Sequence, residues 1–339
     1  MCYLANVLPG SMAQSLVRLC CGSIFSTTIS YGLNLLGGEF RQLKVFLYSL
    51  IVKGPRMFSL ESSRNSRGIA VVSGGQNDSQ IIYFNPDGDE HGEKSRTNFR
   101  DMKLTGSEGI IQPLPNVDPS QRDIFIVAAG SGCGKSTYAG QIMKHYQIMF
   151  PDRPLFILSK VSKDPSIDDL ELKHVNRIAL DDTFLEGKPL GAENFRECLV
   201  LFDDVETLSG NLYKAVAALR DDLMQCGRHT ETTLVATYHL LMDKLKTKVA
   251  LLEGTQFTIW PKNNTRQCMS FLMTYCGMNT ACARYICELP SRHITIIKAL
   301  PNIIITTRGI MRMTEIKALA EPKKGSMTLS SAEHYANLE

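Results

Sequence analysis

Apolar residues do not fall evenly along this chain. Between residues 122 and 310 they gather into short runs, each closed by turn formers and followed by a stretch of helical spacing. The runs at 124–129, 154–159, 197–204, 232–237 and 256–260 have the length and β-branched content of buried strands. After residue 134, Ile142, Met143 and Tyr146 recur at helical spacing, and 211–226 places Leu212, Val216, Leu219 and Leu223 on one helical face before stopping at Gly227. Further helical patterns cover 240–252, 265–275 and 280–289. Strands alternating with helices predict an α/β fold, a doubly wound, mainly parallel sheet with helices on both faces. Beyond it, 291–298 and 301–306 alternate and turn as a β-hairpin does. The acid- and turn-rich segment after 159 reads as a surface run.

The flanks follow other patterns. Residues 57–121 are polar and turn-rich, with two β-like runs at 68–73 and 80–84, and predict a small β-rich appendage or arm. The three prolines of QPLPNVDPSQRD then lead into the 122–310 domain, and 311–339 reads as a solvated tail. Residues 1–56 carry Arg18, Arg41, Lys44, Lys53 and Arg56 against Glu39 alone, so the chain's excess positive charge lies there. Their two apolar patches are interrupted or too short for the roughly twenty apolar residues of a bilayer span, and no signal-peptide pattern closes them. The segment reads as a basic, apolar extension ahead of Met57, with membrane contact left open.

Composition adds little to this. With 44% hydrophobic and 21% charged residues the chain is of ordinary globular type, and a net charge of +3 gives no bulk argument for nucleic-acid binding. The ten cysteines form no CxxC pair and suit no zinc site, and they read as reduced thiols of a cytosolic-type compartment.

The chemistry begins where the first strand breaks. Gly130-Ser131-Gly132-Cys133-Gly134 separates it from a helix opened by Lys135-Ser136-Thr137. Strand, glycine loop and helix in that order make a phosphate-binding loop: backbone N–H groups turn inward on an anion, the helix N-terminus adds positive potential, and a lysine reaches the β- and γ-phosphates. Ser136 then suits Mg²⁺ and Thr137 the α-phosphate side; Ala129 stands where a first glycine is usual. About seventy residues on, an apolar run ends in Asp203-Asp204. A magnesium triphosphate needs one acid to orient the metal's water shell and another to polarise the attacking water. Asp203 suits the first role and Asp204 the second, with Glu206 in reserve. The strand at 232–237 ends beside Thr237 and His239, either of which could sit beside a γ-phosphate; a capping or core histidine is the other reading of His239. Cofactors expected are ATP and Mg²⁺.

The ordered set AGSGCGKST, LVLFDD, MQCGRH, TTLVATYH and LPSRHITIIKALP resembles the genome-packaging ATPases of large double-stranded DNA viruses and virophages, of the FtsK/HerA branch of P-loop motors. The resemblance covers about 122–307. It implies a homo-oligomeric ring that hydrolyses ATP to drive double-stranded DNA into a capsid, with a capsid or membrane-vertex partner, in host cytoplasm or a viral factory and not secreted. It further implies that Arg228 reaches a neighbouring subunit's nucleotide, although a cation closing a helix C-terminus also fits that position. Tyr238 stands where the superfamily often has glutamine, which leaves Thr237 or His239 for the sensor. Lys244, Lys246 and Lys248 alternate after the fourth strand and read as a solvated face rather than a DNA contact. Two other classes share the loop. A small-molecule kinase needs an arginine-bearing lid that no segment between strands supplies, and a nucleotide-binding switch does not need intact Lys135, Ser136 and Asp203.

Overall fold

The computed structural model describes residues 58–313, except 64–65, 76, 86–97, 100–101, 104–108, 117, 119–120, 244 and 300–301. The extension over 1–56, most of the expected tail and Lys244 therefore lie outside the described residues. In chain order the first strands are β1 (Phe58–Ser59), β2 (Arg67–Ser73), β3 (Ile81–Phe84), β4 (Asn98–Phe99), β5 (Met102–Lys103) and β6 (Ile110–Pro113). Next come β7 (Ile124–Ala128), α1 (Lys135–Met149), β8 (Leu155–Ser159), α2 (Pro165–Asp168), β9 (Val175–Ala179) and α3 (Thr183–Glu186). They are followed by β10 (Leu199–Phe202), α4 (Gly210–Cys226), β11 (Thr233–Tyr238), α5 (Lys248–Glu253), β12 (Gln256–Ile259), α6 (Thr265–Thr274) and α7 (Thr280–Glu288). The last strands are β13 (Ile294–Ile297), β14 (Ile303–Thr306) and β15 (Gly309–Arg312).

Ten strands form the main sheet in the order β5-β15-β14-β13-β12-β7-β11-β10-β8-β9. From β12 to β9 every pairing is parallel, and from β12 to β5 every pairing is antiparallel. The five central parallel strands are apolar almost throughout because both of their faces are covered. Alternate residues of β7 show this directly. Phe125 and Val127 pack with Tyr138, Ala139, Ile142, Met143 and Tyr146 of α1. Ile124, Ile126 and Ala128 instead join a core with Val216, Leu219 and Leu223 of α4, Phe271 and Leu272 of α6, and Ile286 of α7. The predicted helices on both faces are present.

Three segments differ from the sequence expectation. The surface run after β8 contains α2, capped by Asp164 through the Ser166 N–H at 2.9 Å with Pro165 at its first position, and the edge strand β9. The helix expected over 240–252 is confined to α5. Before it, the Asp243 carboxylate takes the N–H groups of Leu245 and Lys246 at 3.0 and 3.2 Å, and the Asp243 carbonyl takes the Thr247 hydroxyl at 2.6 Å. An aspartate that captures nearby backbone donors competes with helix formation. Leu245 is consequently 93% exposed. The third difference is β15, which continues the sheet past the expected hairpin.

The smaller sheet, β4-β1-β3-β2-β6, contains both predicted runs and is antiparallel. Its Phe58, Ile69, Val72, Ile82 and Ile111 share a core with Ile297, Ile303, Ile305 and Ile310 of β13–β15. Among the described residues no helix is long and apolar enough to cross a membrane.

Candidate functional site

The parallel strands β7, β11 and β10 end along one edge of the sheet, and the residues that follow them meet there. Strands are spaced about 4.8 Å apart, so the ends of β7 and β10 stand roughly 10 Å from each other with the end of β11 between them. Each end delivers different chemistry: a glycine loop from β7, a hydroxyl and an imidazole from β11, and two carboxylates from β10.

The loop from β7 turns into α1 through Gly132 and Gly134, both with positive φ, of 73° and 95°. A side chain at either position would be strained by the backbone alone. Ser131, Gly132 and Thr137 are exposed, and Gly130, Cys133, Gly134 and Ser136 are half-buried. No side chain caps α1, and its first turn holds no acid. Its leading N–H groups and positive end are thus left for an external anion. Gly130 is braced from outside, its N–H donating to Asn263 Oδ1 at 2.9 Å.

Lys135 is only 7% exposed and its ammonium points at the other two strand ends. Nζ lies 3.3 Å from His239 Nδ1 and 3.8 Å from Asp204 Oδ1, while His239 Nε2 lies 3.2 Å from Asp204 Oδ2. An ammonium facing Nδ1 requires a lone pair there, so the ring proton resides on Nε2 and is donated to Asp204. Lys135, His239 and Asp204 form a closed triangle. Strand, glycine loop and uncapped helix have the arrangement of a phosphate-binding loop, or P-loop.

Thr237 knits together the two acids that follow β10. Its hydroxyl donates to Asp203 Oδ1 at 3.0 Å and accepts the Asp204 N–H at 2.8 Å. Asp204 itself has φ 47°, a left-handed conformation, and its Oδ1 lies 3.2 Å from the same Thr237 hydroxyl and 3.8 Å from Lys135 Nζ. Ser159, closing β8, donates to Asp203 Oδ2 at 3.2 Å. Burial raises the Asp203 carboxyl above its ordinary range, the neighbouring Asp204 adds to this, and the two hydroxyls oppose it. Burial also raises Glu206, whose carboxylate accepts the His239 N–H.

A buried carboxylate held in this way suits a cation. Ser136, in the first turn of α1, and Asp203, following β10, are hard oxygen donors on the same sheet edge, the donor type Mg²⁺ takes. Among the described residues no cluster of three or more His, Cys, Asp and Glu side chains offers a metal site.

The remaining sequence candidates are placed as follows. Tyr238 is buried, its ring 5.6 Å from the Arg220 guanidinium, and faces away from the loop; His239 is the residue that turns toward it. Arg228 lies in the turn entering β11, at the opposite sheet edge, separated from His239 by the length of a strand that spans roughly 16 Å. It does not close α4. That role belongs to Arg122, which donates to the carbonyls of Leu223 and, at 2.5 Å, Met224. A Cβ on Gly227 would sit 2.6 Å from Arg122 Nη1, so a side chain there would displace the guanidinium. Arg228 is left exposed. Lys246 is half-buried, donating to the Glu206 carbonyl at 2.8 Å with its ammonium 5.2 Å from the Tyr213 ring, so it does not belong to a solvated face. Lys298 closes α5 on the Leu251 carbonyl at 2.6 Å.

Ser159, Asn263 and Arg292 touch the site without having been given roles from sequence. Ser159 had a signal, a polar residue closing a buried strand beside the acids. Arg292 stood within a quoted motif; Asn263 had no signal.

No family model matches the sequence. The chain is 29% identical over 253 residues to Uncharacterized protein V3 of Sputnik virophage, covering 74% of this chain and 97% of that protein. Among solved structures it is similar to B204, the DNA-packaging ATPase from Sulfolobus Turreted Icosahedral Virus, at 12% identity and a TM-score of 0.39, covering 55% of this chain and 97% of that one. It is also similar to the pCW3 conjugation coupling protein TcpA, at 12% identity and a TM-score of 0.38, covering 82% and 86%.

Proposed function

We propose that this chain is an ATP-hydrolysing motor that moves double-stranded DNA, packaging a viral genome. The observation that carries the nucleotide reading is the convergence of Lys135, Asp204 and His239 beside an uncapped helix N-terminus. Phosphoryl transfer to water needs little covalent help from a protein; it needs the phosphates held, charge neutralised and a water oriented. Backbone donors from Gly130 to Thr137 hold the phosphates, and Lys135 exchanges its present partners for phosphate oxygens. Asp204, its Oδ2 kept in place by His239, accepts the water's proton as the new P–O bond forms and the bond to the departing ADP breaks. Ser136 and Asp203 would hold Mg²⁺, which supplies neutralisation of charge on the phosphates.

The motor reading rests on further support. Arg228 is exposed at the sheet edge opposite its own loop, where it is free to reach a neighbouring copy in a homo-oligomeric ring and act there in trans. The ordered motifs resemble packaging ATPases, and the sequence relative is a virophage protein. Duplex DNA, a capsid or membrane-vertex partner, and work in host cytoplasm or a viral factory complete the proposal.

The test is ATP turnover by the purified chain with and without duplex DNA, with Lys135→Ala as control. DNA-stimulated turnover that Lys135→Ala abolishes supports the motor. Phosphate transfer to a small acceptor, or nucleotide binding with no turnover, overturns it.

A further inference from the structure

The antiparallel extension of the sheet has a consequence for the P-loop. Because β13 runs against β12, with Ile294 opposite Ile259, the start of β13 lies at the edge where the parallel strands end. The residues just before β13 are thereby delivered to the P-loop from the side opposite β10.

Both neighbours of Arg292 in this segment are anchored. Ser291 is buried, its hydroxyl donating to the His293 carbonyl at 2.5 Å and accepting the Thr307 N–H at 3.1 Å. The His293 ring lies 4.9 Å from Tyr138, in the first turn of α1, and 5.3 Å from Trp260. Tyr138 is fixed in turn by the Thr258 and Thr295 hydroxyls, at 3.0 and 2.8 Å. Burial lowers the His293 imidazole to about 4, so it is neutral near pH 7. The charge this segment carries to the loop is that of Arg292.

Its guanidinium lies along the last residues before Lys135. Nη2 donates to the Cys133 carbonyl at 3.1 Å, and a Cβ on Gly134 would sit 3.4 Å from the same nitrogen. A guanidinium has five N–H donors in a fixed fork. One is used on the carbonyl, the side chain is exposed, and among the described residues no carboxylate lies within ion-pair distance. An arginine kept solely to brace a carbonyl would not need a charge left unpaired beside an anion cradle.

We propose that Arg292 is a clamp, supplied by the same subunit as the loop, on the diphosphate common to ATP and ADP. This rests on the nucleotide reading of the site. It differs from the proposal for Arg228, which acts across subunits and on turnover. A charge-assisted hydrogen bond to phosphate is worth about 1.5–3 kcal/mol, which is roughly 10- to 100-fold in affinity.

The experiment is calorimetric titration of ADP with Mg²⁺ into wild type, Arg292→Ala and Arg292→Lys at low and high salt, alongside thermal unfolding without nucleotide. Arg292→Ala is expected to bind ADP at least tenfold more weakly at low salt, with the gap narrowing as salt screens the contact. Arg292→Lys should fall between the two, and the unfolding midpoints should coincide. Equal ADP affinity in wild type and Arg292→Ala overturns the clamp. So does a gap that salt does not change while the unfolding midpoint drops, which is the signature of a brace on the loop. Wild type that binds no ADP overturns the nucleotide reading itself.

Discussion

Replacing Thr237 by valine isolates the link between β11 and the two acids. The substitution keeps shape and volume and removes one hydroxyl, which in the native protein serves two partners at once. Asp203 Oδ1 loses a donor at 3.0 Å and the Asp204 N–H loses an acceptor at 2.8 Å. Thr237 is buried, so water does not readily replace either bond. An abandoned donor and a carboxylate stripped of a hydrogen bond together cost about 1–3 kcal/mol of stability. Turnover suffers separately, because the same hydroxyl contacts both the backbone N–H and the Oδ1 of Asp204, the carboxylate beside Lys135. Groups that orient a ligating or reacting side chain typically contribute about 10- to 100-fold to metal affinity or activity. Thr237→Val is therefore expected to unfold earlier in urea and to hydrolyse ATP at least tenfold more slowly. Thr237→Ser, which keeps the hydroxyl, should recover most of the rate. If valine is silent in both assays, or serine is as damaging as valine, the hydroxyl does not organise the acids.

Other consequences can be measured directly. Arg228→Ala should leave nucleotide binding intact and slow turnover only at concentrations where the protein assembles; equal loss in isolated monomers would rule out action in trans. The Asp203 carboxyl is raised by burial, so between 3.8 and its higher folded value the native state holds a proton the unfolded chain has lost, and stability falls as pH rises through that window. Asp203→Asn removes that dependence: in metal-free buffer its unfolding midpoint should gain on wild type from acid to neutral pH while hydrolysis is lost, and a gap that stays constant with pH would contradict this. Glu206 is raised in the same direction in both proteins and cancels from the comparison. Gly227→Ala should destabilise by about 1–3 kcal/mol by displacing Arg122 from the end of α4. In an Arg122→Ala background that cost should largely vanish, and full additivity would show that the two do not share one cap.

The central fold could be read in the sequence because its strands are buried on both faces. Apolar runs at β7, β8, β10, β11 and β12 admit few other readings, and the glycine loop falls between β7 and α1 as expected. Where burial is partial, the pattern weakens. The edge strand β9 mixes half-buried and exposed residues without strict alternation and lies in an acidic stretch. Leu240, Leu241, Met242 and Leu245 imitated a helix, but an aspartate among them captured the backbone donors first. Contacts made across the chain left still less trace. Asn263 meets Gly130, and Arg292 meets Cys133, over separations of 133 and 159 residues that no local spacing encodes. Arg122 stands on the entry side of β7, which hid it as the cap of α4 and left Arg228 to be weighed for that place.

One nucleotide is gripped between the loop ahead of Lys135 and the acids after β10 in the proposed motor. A structure of the chain bound to Mg²⁺ and a non-hydrolysable ATP analogue tests this most directly. It should show Lys135 Nζ moved from His239 onto phosphate oxygens, with the metal between Ser136 and Asp203. A nucleotide bound elsewhere, or Lys135 still held by His239 and Asp204 with the analogue present, would contradict it.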